Sequence, residues 1–121
     1  MERVSFINHK GKNIIFTDLS QTASSEQQIE ILNQAEKLIN NQPPKSVLSL
    51  IDYTGARYDL TSVEAQKNFS SAVTPKMKAS AVLGIGGLKQ VILRSVVRIT
   101  GRNIRSFDDI EAAKDWLAEQ E

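Results

Sequence analysis

Side chains able to do chemistry are few and scattered in this chain. His9 is its single histidine and it has no cysteine. No serine sits in a Gly-x-Ser-x-Gly elbow. A lone histidine beside a turn cannot assemble a metal trio. The missing cysteine excludes disulfides, thiol nucleophiles and cysteine-bound zinc, and it fits a reducing compartment. Asp18, Asp52 and Asp59 fall at or beyond predicted strand ends, where α/β enzymes keep catalytic groups. Aspartates there also serve as ordinary turn and cap residues. No nucleophile–base pair can be composed from this set. The sequence therefore predicts no enzymatic turnover, no metal and no cofactor.

Backbone chemistry is better represented. Ala81–Gln90 reads AVLGIGGLKQ, an apolar strand that runs through glycines into a helix. Such a junction places free amides and a helix N-terminus at the sheet edge. Gly86, Gly87 and Leu88, with Lys89, are thus a candidate anion site. The competing reading is that the glycines allow a tight turn and close packing. The segment is neither a Walker loop nor a full dinucleotide fingerprint.

Thr61 is a second candidate. It is predicted to cap a helix, with Glu64 at the capping-box distance. A phosphate on a cap hydroxyl would lie on free amides and the positive end of the dipole. Capping alone explains a threonine at this place, and a phosphorylated Thr61 is the lesser reading.

The third candidate is the helix predicted over Leu88–Thr100. Leu88, Ile92, Val96 and Ile99 define its core face, while Leu93 and Val97 repeat the same step on another side. That surplus of apolar circumference predicts a self-interface, rimmed by Arg94 and Arg98, and hence a homodimer. Arg102 and Arg105 extend a solvated basic flank. A net charge of +1 offers no field for nucleic acid.

The elements that position these residues follow from periodicity. Val4–Lys10 and Asn13–Leu19 read as strands joined by a tight turn at Gly11, Lys12 and Asn13. Ser25, with Gln28 three residues on, is predicted to cap a helix. Its buried face comprises Gln28, Ile31, Leu32, Ala35, Leu38 and Ile39, and Pro43–Pro44 lie beyond its end. Ser46–Tyr53 is almost continuously apolar, the mark of a strand covered on both faces. The helix from Thr61 ends near Val73 and buries Ala65, Phe69, Ala72 and Val73. Lys78–Ile85 is the next strand. After Leu88–Thr100 come a short strand near Asn103–Phe107 and a final helix. That helix begins at Asp108 or Asp109 and buries Ile110, Ala113, Trp116 and Leu117.

The order is ββαβαβαβα, an α/β single domain over residues 1–121 with a mixed sheet and about four helices. At 121 residues, 40% hydrophobic and 24% charged, the composition is that of an ordinary soluble domain. No apolar h-region marks a signal peptide, and no run is long enough to span a bilayer. The expected location is the cytoplasm.

The element order, the closing SFDDIEAAKDWL at Ser106–Leu117 and AVLGIGGLKQ at Ala81–Gln90 together resemble a bacterial domain family. It is the SpoIIAA-like, or STAS/SEC14-like, family. The resemblance implies a mixed five-stranded sheet with helices mainly on one side. It also implies kinship with anti-sigma-factor antagonists and with SEC14 lipid-binding domains. The antagonists carry a phosphorylatable serine in a D-x-S-G-L setting after the central strand. Asp59–Val63 reads DLTSV here, which keeps the D-x-[ST] spacing but lacks the glycine, and the resemblance thereby implies Thr61, with Asp59, as the phospho-acceptor candidate. The expected function is a non-catalytic regulatory protein–protein interaction module. The alternative is binding of a small apolar or lipid-like ligand between the sheet and a helix.

Overall fold

The computed structural model describes residues 2–57, 59–85, 94, 98 and 103–120. Strand β1 (Val4–His9) turns back on β2 (Lys12–Asp18), antiparallel, with Val4 opposite Thr17 and His9 opposite Lys12. Lys10 and Gly11 make the turn at φ 53° and 83°. Two successive left-handed residues match the twist of a two-residue hairpin. The turn lies one residue earlier than the sequence suggests, because Lys10 itself adopts the left-handed conformation.

From β2 the chain builds parallel pairs. Helix α1 (Ser25–Asn40) leads to β3 (Val47–Asp52), and α2 (Leu60–Val73) leads through a short 3-10 turn to β4 (Met77–Leu83). Strand β5 (Ile104–Phe107) pairs with β4, and α3 (Ile110–Ala118) closes the fold. The sheet has five strands in the order β1-β2-β3-β4-β5. Three helices are described. The expected Leu88–Thr100 helix falls mostly outside the described residues, although Arg94 and Arg98 are helical and exposed.

Each face of the sheet has its own core. Helices α1 and α2 cover one face, where Ile15, Val47, Ile51 and Val82 pack against Ile31, Leu32, Ala35, Ile39, Phe69 and Val73. Helix α3 covers the other, placing Ala113 and Leu117 on Ile14, Leu48, Leu50, Ala79, Ala81 and Leu83. Val47–Ile51 is buried throughout, as an unalternating apolar run requires. Each fully buried Leu or Ile here contributes about 1.5–3 kcal/mol. Ala72 and Ile110, both expected in the core, are exposed. They lie near a helix end, where the last or first turn clears the sheet.

Helix α3 has nine residues, too few to persist alone. Polar contacts to the hairpin hold it as well as its core face. His9 Nε2 donates to Asp115 Oδ1 at 2.7 Å and Lys10 Nζ reaches the same oxygen at 3.0 Å. Lys12 Nζ donates to the Gln120 carbonyl at 3.2 Å. His9 is thus a clasp between strand and helix, its side chain 18% exposed, rather than a free surface residue.

The helix caps are shifted from their predicted positions. Ser24, not Ser25, caps α1 and accepts from the Gln27 N–H at 3.2 Å. Asp59, not Thr61, caps α2, in a reciprocal capping box with Ser62. Thr61 lies inside the first turn and is exposed. Ser24→Ala should therefore cost about 1 kcal/mol and Ser25→Ala close to nothing. Asp59→Ala should lower the urea midpoint while Thr61→Ala leaves it in place. Equal losses within either pair would put the caps where the sequence alone suggests them.

The clasp on α3 also has a pH signature. The His9 hydrogen bond, and then that of Lys10, hold the Asp115 carboxyl below its ordinary pKa. A carboxyl depressed in the folded state stabilises it above the unfolded pKa of about 3.9. That contribution fades as pH falls through the folded value. Asp115→Asn should lower the urea midpoint at pH 7, and the gap from wild type should close as pH falls through the depressed folded-state pKa. A gap that persists in acid would mean the clasp acts through packing rather than charge.

Candidate functional site

Open α/β sheets bind at the carboxyl ends of their parallel strands. Here that edge carries Asp18 at the end of β2 and Asp52 at the end of β3, opposite each other in the register. Each carboxylate folds back on its own loop. Asp18 Oδ1 accepts from the Ser20 N–H at 2.9 Å and from the Ser20 hydroxyl. Asp52 Oδ1 accepts from the Thr54 N–H at 2.9 Å and from the Thr54 hydroxyl at 2.6 Å. Both aspartates thus build turns, the less active of the two roles open to them from sequence. Among the described residues no group of acidic or imidazole side chains could hold a metal ion.

The loops at this edge are tied to one another. Gln21 N–H donates to the Thr54 carbonyl, and Tyr53 N–H to the Leu83 carbonyl. Gly84 sits at φ 74° against Thr54, where a Cβ would come within 2.6 Å of Thr54 Cα. Only glycine fits both the conformation and the approach. The continuation of this turn, with Gly86, Gly87, Leu88 and Lys89 of the candidate anion site, lies outside the described residues. So do Leu93 and Val97 of the candidate interface.

A buried polar junction fixes the start of α2. Gln28 on α1 is fully buried. Its amide nitrogen donates to Thr22 Oγ1 at 3.0 Å and to the Arg57 carbonyl at 2.7 Å. Its oxygen accepts from Gln66 on α2 at 2.9 Å. A buried amide is tolerated when satisfied in this way. Arg57 in turn donates from Nε to Asp59, while Asp59 accepts from the Ser62 N–H at 2.8 Å. The Ser62 backbone bond, then the Arg57 side chain, hold the Asp59 carboxyl below its ordinary pKa.

This scaffold presents Leu60, 89% exposed, beside the exposed Thr61. Of the two phospho-acceptor candidates, Asp59 is consumed by capping and Thr61 is open to solvent. Sequence reading placed Gln28 on the buried face of α1 without its role. A glutamine at an apolar position was the available signal. Leu60 gave none, since it follows directly on a cap.

Neither a family model nor a curated protein matches the chain. Among solved structures it is similar to an uncharacterized protein of the DUF3478 family, with a SpoIIAA-like fold, from Shewanella loihica PV-4. The TM-score is 0.76 at 17% sequence identity, over 94% of this chain and 91% of that one. At that identity the likeness carries architecture alone, and the architecture of this chain is the SpoIIAA-like fold.

Proposed function

We propose that the protein is a non-catalytic regulatory module that docks a protein partner at the start of α2. It works in the cytoplasm, as a homodimer, in the manner of anti-sigma-factor antagonists. The observation that carries this reading is Leu60, 89% exposed at a helix start held by a capping box and by the Gln28 junction. A large apolar side chain kept in water on a support held by several hydrogen bonds suits an interface anchor. Thr61 beside it offers control. A phosphate there would gain from the helix dipole and from Arg57, but would face the Asp59 carboxylate. It would place negative charge next to the apolar anchor.

The lipid-like alternative is supported by a cleft of about 380 Å³ between α1 and α2, lined by Ile29, Leu32, Ala65 and Phe69. Asn33, Glu36 and Asn68 line it too, and it opens to solvent. A lipid needs most of its surface enclosed, so the cleft suits it less well than Leu60 suits a protein.

Leu60→Glu should leave the melting temperature within about 2 °C of wild type, because the residue is already solvated. It should abolish capture of the partner from extracts of the native cell, and Thr61→Asp should weaken the same capture about tenfold or more. A partner retained equally by wild type and Leu60→Glu would refute the docking site. Ester or phosphate turnover that is lost in Asp59→Ala or His9→Ala would refute the non-catalytic reading.

A further inference from the structure

The outer edge of β1 carries a second surface. Among the described residues β1 pairs with β2 on one side and with no strand on the other. The Asp18 N–H donates to the Arg3 carbonyl at 2.7 Å, which sets the phase of the ladder. Hydrogen-bonded and non-hydrogen-bonded pairs alternate along antiparallel strands. Arg3, Ser5, Ile7 and His9 therefore turn their backbone groups towards β2. Val4, Phe6 and Asn8 turn theirs outward. Exposed edges are ordinarily guarded by charge, proline or a bulge. VSFINH has no lysine, acid or proline, and its register with β2 is unbroken. Phe6 is 44% exposed on it.

We infer that a second copy of this chain pairs along that edge, β1 against β1, to make one continuous sheet across a two-fold axis. The inference rests on the homodimer reading above and locates its interface. An axis perpendicular to the sheet makes the two edges antiparallel and keeps each face on its own side. Residues opposite each other must then share a face. Centring the register on Phe6 satisfies this and matches every outward group. Phe6 exchanges hydrogen bonds with Phe6 of the other copy, and Val4 with Asn8. The two half-exposed phenyl rings meet at the axis, on the face that α1 and α2 cover.

Charge agrees with this register. One step beyond each end it brings Glu2, exposed, opposite Lys10, whose side chain is 64% exposed. Lys10 keeps its own-chain bond to Asp115 at 3.0 Å, so Glu2 adds charge of the favourable sign at each end rather than a new ion pair. A register centred on Ile7 sets Phe6 against Asn8 and so parts the two phenyl rings. The edge is complementary to itself, in hydrogen bonding and in charge.

The test uses the absence of cysteine from the chain. Facing residues of a hydrogen-bonded pair have Cα atoms about 5.5 Å apart, within disulfide reach. Under mild oxidation Phe6→Cys should cross-link to a covalent dimer about tenfold faster than Ile7→Cys, which faces Ser5 and not itself. By light scattering the wild type should be a dimer at micromolar concentration and Phe6→Lys a folded monomer. Leu60→Glu should remain a dimer. A wild-type monomer would overturn the interface and the homodimer together. A wild-type dimer with equal cross-linking of Phe6→Cys and Ile7→Cys would overturn the β1 interface alone. So would a Phe6→Lys variant that stays dimeric. If Phe6→Lys does not fold, the cross-linking contrast still decides.

Discussion

Strand β3 has no solvated face, and much of the architecture answers to that. Val47–Ile51 is buried at every position, so apolar cover is needed on both sides of the sheet. Parallel pairing with β2 and β4 forces long crossovers, and these supply α1 and α2 to one face. Among the described residues the other face is covered by the nine residues of α3. A helix that short contributes little of its own stability. It is held by Ala113 and Leu117 below and by the hairpin residues His9, Lys10 and Lys12 beside it. The opening hairpin is thus the clasp of the closing helix.

A second constraint acts at the carboxyl edge. Two crossovers that share one face must be kept in register with each other as well as with the sheet. Gln28 does this by bonding the α1 entry loop at Thr22, the α2 entry at Arg57 and α2 itself at Gln66. Removing such a group strands several partners in a water-poor site, so one glutamine couples elements far apart in sequence. The start of α2 inherits its rigidity from that bond set, and Leu60 inherits its fixed exposure.

Periodicity made the fold readable. The hairpin, the three described helices and the five strands appear in the order the sequence implies. Strand order was not readable, because alternation says which residues are covered but not by which neighbour. Caps were misplaced for a specific reason. Ser24 and Ser25 are adjacent, and Asp59, Thr61 and Ser62 crowd one turn. Each can cap a helix, and the choice depends on where the backbone leaves the extended region. His9 failed for another reason. Its partner Asp115 lies 106 positions away, beyond any local pattern. The site was the least legible part. Leu60 acquires meaning from exposure, and exposure at one helix position depends on what the rest of the chain leaves uncovered.

The two proposed surfaces lie apart along the width of the sheet. Strand β1 is an edge, whereas α2 joins β3 to β4, two and three strands in from it. Pairing along β1 extends the sheet sideways and leaves the carboxyl ends of its strands open. A dimer of this geometry presents two copies of the Leu60–Thr61 start of α2, related by the same two-fold axis. A partner that is itself two-fold meets both at once, and the second contact forms at an effective concentration set by the rigid sheet rather than by diffusion. Charge placed on Thr61 then acts on both contacts together. On the proposed reading a modest loss at each contact would multiply into a steep loss of the assembly, which would let a weak, exposed anchor operate as a switch.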